Sequence, residues 1–305
     1  MAPTYDTLPI PETPPEQTGN IAYGIFGHCG SPVFYAVWLA VFGLTTYHAI
    51  VGFLACSVVF FAFTLWAEHR HPSVKLPPLS LRDCIGGLSV VFYKGVLVGG
   101  GFVAGGWWVF SHISPYKTLS NTWLMVAIGT LLTDLAYYWI HRMMSHSRGP
   151  NPILRYYRRK HAAHHSVSEM DFMRGNQSSL VDTALGQFQP ALILISWALG
   201  MDLPATLAAY GFILTLQATD HTNVTFNIGW LRYIFMDNHA HKLHHCKRGN
   251  LINHAAAFSF FDRLWGTYYE DWRLSSNYLH HHRIALPIKL RTAPSRPARP
   301  QTANA

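Results

Sequence analysis

The stretch Asn121-Thr-Trp-Leu-Met-Val-Ala-Ile-Gly-Thr-Leu-Leu-Thr-Asp-Leu-Ala-Tyr-Tyr-Trp-Ile140 runs directly into His141-Arg-Met-Met-Ser-His146. A helix of that length rises about 30 Å, the thickness of a bilayer's hydrocarbon core. The segment therefore reads as a membrane span that delivers a pair of histidines to the membrane edge. Its single acid, Asp134, lies two helical turns before His141 and on the same face. An ionisable group inside a span is costly and is a functional candidate by default. The spacing of the histidines is less simple. Residues five apart sit about 140° apart on a regular helix, so both reach one site only where the helix ends, kinks or bulges.

Two further clusters, His161-Ala-Ala-His164-His165 and His241-Lys-Leu-His244-His245, share the pattern HxxHH. On a helix, positions i, i+3 and i+4 project from one face, so each cluster is a comb of imidazoles. Neutral imidazole suits iron, zinc, copper and nickel, and the ligand type alone does not name the metal. The count says more. A structural zinc takes four ligands and a catalytic zinc three, fewer than these clusters offer. HExxH is absent, and no glutamate within a cluster offers a general base. Two redox-active irons would use the whole set and could activate dioxygen. His221, in Asp220-His-Thr-Asn223, returns to the same side and is a further candidate ligand. His239 points to another helix face, and His254 reads as supporting or structural. His28, His48, His69, His71, His112 and His280 to His282 read as interfacial or solvated.

Half of the 305 residues are hydrophobic and only 12% are charged, whereas a soluble domain carries about a quarter charged residues. The apolar run Val33 to Trp66 exceeds one untilted span, so it is either a tilted span or a hairpin bent near Gly43 to His48. Leu81 to Gly86 reads as amphipathic and interfacial, and Val90 to Phe110 as the next span, weakened by Gly99-Gly100-Gly101. Ala184 to Leu199 and Pro204 to Ala218 suit a hairpin that dips into or crosses the bilayer. The fold class is thus all-α, an integral membrane helical domain with a histidine-lined metal-binding cap.

No lysine or arginine precedes Arg70, and the later ones cluster between the spans and in the tail. By the positive-inside rule these clusters, and the histidines with them, share the cytosolic side. The membrane expected is the endoplasmic reticulum or the bacterial inner membrane. The net charge of +8 reads as topology and contact with anionic headgroups, not as nucleic-acid binding. Residues 1–32 read as a disordered leader, with five prolines and three acids in the first 20 positions. Residues 33–118 hold the N-terminal membrane helices, 119–272 the catalytic domain, and 273–305 a disordered basic tail. Four scattered cysteines suggest neither a disulfide framework nor a zinc knuckle, and Cys246 reads as a bystander beside His245.

Asp134-Leu-Ala-Tyr-Tyr-Trp-Ile-His-Arg-Met-Met-Ser-His146, Lys160-His-Ala-Ala-His-His-Ser166 and His241-Lys-Leu-His-His245 resemble the three histidine boxes of the fatty acid hydroxylase/sterol desaturase superfamily. Phe261-Asp-Arg-Leu-Trp-Gly-Thr-Tyr268 is similar to that family's closing segment. The resemblance covers roughly residues 119–269. It implies a non-haem di-iron centre and the use of dioxygen. It also implies electrons from NAD(P)H, delivered through a b-type cytochrome or a ferredoxin, and a membrane lipid as substrate. The metal ligands it implies are His141, His146, His161, His164, His165, His241, His244 and His245, to which the reading above adds His221. Asp134 and Asn253 stand as candidate catalytic residues, Asp134 by orienting an imidazole through its non-metal nitrogen. The chain departs from the family at Asn176, where a histidine is common, at His254-Ala255, and at Asn238, where a proline is common.

The expected activity is hydroxylation or desaturation of a sterol, a fatty acyl chain or a related polar-headed lipid. Two rival readings are a zinc-dependent membrane lipid hydrolase and a non-enzymatic metal-handling membrane protein. The ligand surplus and the missing glutamate weigh against the first. The clustering of ligands at one membrane edge weighs against the second.

Overall fold

The structure, a computed structural model, describes residues 20–113, 122–146, 150–167, 169–186, 188–272 and 274–286. Among these residues the protein is helical and contains no strand, only one isolated bridge between Lys247 and Ala285. Four helices are long and apolar enough to cross a membrane.

The first apolar run is a hairpin, α1 (Ile21–Phe42) and α2 (Thr46–Arg70). Gly43 turns the chain with φ of +88°, a region closed to most side chains. Thr45 then caps α2 by accepting a hydrogen bond from the His48 amide at 3.1 Å. α1 begins inside the segment read as a disordered leader, which corrects that reading for residues 20–32; residues 1–19 lie outside the described residues. The prolines of the leader stop short of Ile21, and Asn20 caps the new helix by accepting from the Tyr23 amide at 2.9 Å.

α3 (Leu81–Ile113) is one continuous helix, with a capping box at Ser80 and Asp83. The segment expected to be a separate interfacial piece is its first turns. The middle, Ser89–Gly100, is π-helical, and α-geometry resumes at Gly101. The glycine run accommodates a neighbour: a Cβ on Gly99 would stand 2.1 Å from the Tyr210 hydroxyl. α4 (Thr122–Ile140) is followed by α5 (Pro152–His165), α6 (Gln189–Leu199) and α7 (Leu203–Gln217). Gly200, with φ of +62°, and the Asp202 cap close the α6–α7 hairpin.

α7 is apolar on every side, and such a helix must be buried. It lies at the centre of the bundle and packs on α1, α2, α3 and α4. Its small residues Ala205, Ala208, Ala209 and Gly211 let those helices approach closely. At one end of the bundle sits a cap made of α5, α8 (Asn238–His245), α9 (Ser259–Leu264) and α10 (Ser276–His281). α10 lies in the segment read as a disordered tail, which is a correction for residues 274–286. Leu279 and Leu286 are buried with Leu243 and Cys246 of the third histidine cluster, so this stretch has a core to join. Residues 287–305 lie outside the described residues.

The α1 face toward the cap is made of small residues because backbone meets backbone there. A Cβ on Gly24 would stand 1.9 Å from the Asn227 carbonyl oxygen. Gly24→Ala should therefore destabilise the fold by about 1–3 kcal/mol, the usual cost of overpacking. The check is a lower thermal midpoint in detergent, set beside Gly105→Ala, where an added Cβ meets nothing within 4 Å.

Candidate metal centre

α4 does not stop at Ile140. Its last turn, His141–Ser145, is π-helical, with His146 as the cap. In a π-turn residues i and i+5 lie one turn apart, so His141 and His146 come together with Nε2 atoms 3.0 Å apart. This is the distortion that the spacing required.

The nine histidines expected as ligands converge in two adjoining groups. One is His141, His146, His161, His165 and His244; the other is His164, His221, His241 and His245. In each group the nitrogens on offer lie within 4.8 Å of one another. The two HxxHH clusters are each divided between the groups. α5 gives its i and i+4 histidines to the first group and its i+3 histidine to the second. α8 does the reverse. His165 and His245 stack across the division with ring centroids 4.1 Å apart.

The outer nitrogens fix the tautomers. His141 Nδ1 donates to the His254 carbonyl at 2.7 Å, His244 Nδ1 to Ile252 at 2.7 Å and His164 Nδ1 to Gln177 at 3.0 Å. His221 Nδ1 donates to Asn176 Oδ1 at 3.0 Å. His161 and His241 face the buried carboxylates of Asp182 and Asp220 at 3.4 and 3.8 Å. A carbonyl oxygen only accepts, so on His141, His164, His221 and His244 the proton sits on Nδ1 and Nε2 carries a bare lone pair, while Nδ1 of His161 and His241 makes no hydrogen bond to its acid. The bare Nε2 of His141 stands 3.0 Å from those of His146 and His161, and the bare Nε2 of His221 stands 3.1 Å from those of His241 and His245. Nitrogens gathered this closely suit a cation between them, and the bare Nε2 of His244 is buried with no hydrogen-bond partner. The donor set therefore fits metal ions.

Burial keeps His146, His164 and His241 neutral, the form that binds a metal. It pulls the affinity for protons down to about 2 at His146, about 4 at His164 and about 3 at His241, with neighbouring imidazoles adding to the effect. Lys242, between the ligands of α8, is fully buried and donates to the Thr222 and Val224 carbonyls at 3.1 and 2.8 Å. Asn238 closes the same turn through Phe226, Thr222 and Val224. Together they hold the turn that carries His221.

The two candidate catalytic residues need correction. Asp134 touches no imidazole. Its carboxylate accepts from the amides of Ala256, Ala257 and Phe258 at 3.0, 3.0 and 2.8 Å. It reaches the centre only through the loop whose His254 carbonyl orients His141. Asn253 has φ of +52° and uses its amide on Ala240 and Tyr269 backbone. Both are struts. Two other histidines also differ from expectation, since His28 and His280 are buried. His239 is held by Ser276 and Asp271 and stacks on Trp272. The Cys246 thiol turns to the Lys242 and Ser276 carbonyls, away from the imidazoles. Sequence reasoning missed Asp182, Asp220 and Asn176 as partners of the ligands. The available signals were the acid directly before His221 and the asparagine standing where a histidine is common in the family whose boxes the sequence resembles.

Cavities approach the centre from two directions. One runs from the apolar bundle, with Phe53, Phe60, Tyr137 and Tyr210 in its wall, and ends on His164, His221 and His241 of the second group. The other opens on the first group beside Arg158 and Asn250.

Residues 126–267 match the sequence model of the fatty acid hydroxylase family. The match covers slightly less than half of the chain and supports its resemblance to the fatty acid hydroxylase/sterol desaturase superfamily. The hydroxylase region spans every ligand of the two groups, while α1, α2 and α3 lie before it. The chain is also 25% identical over 151 residues to an alkylglycerol monooxygenase of Xenopus tropicalis, a stretch covering 48% of this chain and 30% of that relative. No solved structure matches.

Two outcomes follow for the centre. Asp182→Asn and Asp220→Asn should each weaken metal retention 10–100-fold, as loss of such partners does elsewhere. Metal content after dialysis against a graded chelator checks this, with circular dichroism unchanged. Acid should also undo the metal-free fold. The folded rings take up protons only near pH 4 to 2, against about 6.5 in the unfolded chain. Stability is therefore full above about pH 6.5 and is lost as pH falls from there toward the folded values. A thermal midpoint that fell steadily from pH 7 to pH 5 would agree; a flat profile would not.

Proposed function

We propose that the protein is a membrane-bound oxidase that uses dioxygen and two iron ions to hydroxylate or desaturate a lipid. The observation that carries this reading is the paired arrangement of nine imidazoles, most of them buried, at the end of an apolar cavity. A one-metal zinc hydrolase needs only three protein ligands; a four-electron oxidant such as dioxygen calls for a centre that can gather several electrons. The number of ligands also favours iron over zinc. The first group, with five histidines, exceeds the four of a zinc site.

When bound, the irons supply the oxidising power for breaking an unactivated C–H bond. The residues described here do the rest. Nδ1 hydrogen bonds fix His141, His164, His221 and His244, the apolar wall excludes water, and Tyr137 and Tyr210 shape the space before the second group. Hydroxylation turns R–H, dioxygen, two electrons and two protons into R–OH and water. Desaturation with the same inputs gives an alkene and two waters. The similarity to a relative named as a monooxygenase supports oxygen insertion. The electrons come from NAD(P)H through a b-type cytochrome or a ferredoxin. The centre lies on the cytosolic side, and this follows from the positive-inside reading of the loops.

Purified protein should hold two irons per chain by plasma mass spectrometry. Lipids of expressing cells should show a species gaining one oxygen or losing two hydrogens, absent with His164→Ala. Zinc without iron, and no lipid change in a host supplying a reductase, would refute the proposal.

A further inference from the structure

Glu68, in the last turn of α2, lies well before the region that matches the hydroxylase family, yet it grips two backbone segments of the metal centre. Its Oε1 accepts from the Phe172 amide at 2.8 Å and from the Asn223 amide at 2.7 Å. These amides lie 104 and 155 residues further along the chain. An ionised carboxylate oxygen can accept two amide hydrogens at once, and its charge makes such bonds about twice as strong as neutral ones.

Both segments lead to ligands of the second group. The first runs from Phe172 to Gln177. Asn176 donates from Nδ2 to the Phe172 carbonyl at 3.0 Å, and its Oδ1 takes the Nδ1 proton of His221 at 3.0 Å. The next residue, Gln177, offers its carbonyl to His164 Nδ1 at 3.0 Å. One short segment therefore orients two of the four histidines in the second group. It also packs directly on His221, since a Cβ on Gly175 would stand 2.5 Å from the Cβ of that residue.

The second segment is the turn that bears His221. Asn223 is tied there to the chain leaving α2: its side chain accepts from the Val74 amide at 3.1 Å and donates to the Val74 carbonyl at 2.7 Å. Its own carbonyl accepts from the Ser73 amide at 2.7 Å. Glu68 and Lys242 divide the turn between them. The carboxylate takes the Asn223 amide, and the ammonium takes the Thr222 and Val224 carbonyls on either side. Glu68 is also the acid whose charge acts most strongly on Lys242. The first group is oriented elsewhere, with His141 and His244 held by the His254 and Ile252 carbonyls.

We propose that Glu68 is a positioning residue of the metal centre: by joining the Phe172 and Asn223 amides it sets His164 and His221 for the second ion, and the first ion does not depend on it. This rests on the two histidine groups being two metal sites, and not on iron or on lipid oxidation. The N-terminal hairpin then contributes to the centre through a specific carboxylate, although it supplies no ligand.

The test is titration of the full-length, metal-stripped protein in detergent with cobalt(II) alone, followed by its visible absorption and by competition with a chelator. The wild type should bind two ions per chain. Glu68→Leu should weaken one of them about 10–100-fold and leave the other unchanged. Glu68→Gln, whose amide oxygen can still accept from both backbone donors, should restore most of that affinity. Asn176→Ala should weaken the same ion. Combined with Glu68→Leu it should add less than its separate effect, because the two act along one chain of contacts. Cys56→Ala, buried in the same helix about three turns away, should leave both ions in place and so separates positioning from general destabilisation. Equal weakening of both ions, no weakening, or fully additive effects of Glu68→Leu and Asn176→Ala would overturn the inference. Were the wild type to bind a single ion, the two-ion reading would fail. Glu68→Leu holding that ion as tightly would then overturn the inference as well, and weakening of it would sustain the inference. The expected binding pattern in a protein that oxidises no lipid would refute the oxidase reading alone.

Discussion

Everything at the cap end of this protein depends on bringing imidazole nitrogens to 3.0 Å from one another. The bare nitrogens among them call for a cation, and burial deepens that need by removing the water that would otherwise bond them. The fold answers by fixing the opposite edge of four of the rings. Carbonyls of His254, Ile252 and Gln177 and the side chain of Asn176 take the Nδ1 protons of His141, His244, His164 and His221, and the acids Asp182 and Asp220 stand near His161 and His241 at 3.4 and 3.8 Å. Those four rings thus present Nε2 inward whatever their backbone does next.

That requirement passes outward to the loops. The His254 carbonyl is useful only if its loop is rigid, and two buried acids make it so. Asp134 takes the amides of Ala256 to Phe258, and Asp262 those of His254 and Ala255. Asp262 belongs to the closing Phe261-Asp-Arg-Leu-Trp segment, so that motif serves the centre by gripping backbone. A similar division holds for the turn bearing His221, tied by Lys242 and Asn238 and backed by α1. The N-terminal hairpin, which lies outside the hydroxylase region, is therefore part of what holds the second group.

Much of this was legible in order. The apolar runs read as spans because a bilayer demands about 20 apolar residues of helix, and α1 to α4 are such helices. The histidine spacing demanded a distortion after Ile140, and the π-turn supplies it. Less legible were the chain's edges. The segment 20–32 and the stretch 274–286 looked unstructured because neither has a core of its own. Each borrows one, α1 from Phe226 and its neighbours and α10 from Leu243 and Cys246.

Residue types and local spacing by themselves determined the membrane helices, the three clusters and their metal chemistry, since hydrophobicity and imidazole basicity are properties of single side chains. Tertiary structure alone decided how each HxxHH comb is shared between two groups, because α5 and α8 approach the centre from opposite sides. It also decided that Asp134 and Asn253 are struts while Asp182 and Asp220 face the ligands. An acid's role depends on which donor lies within about 3 Å of it, and those donors come from residues far away along the chain.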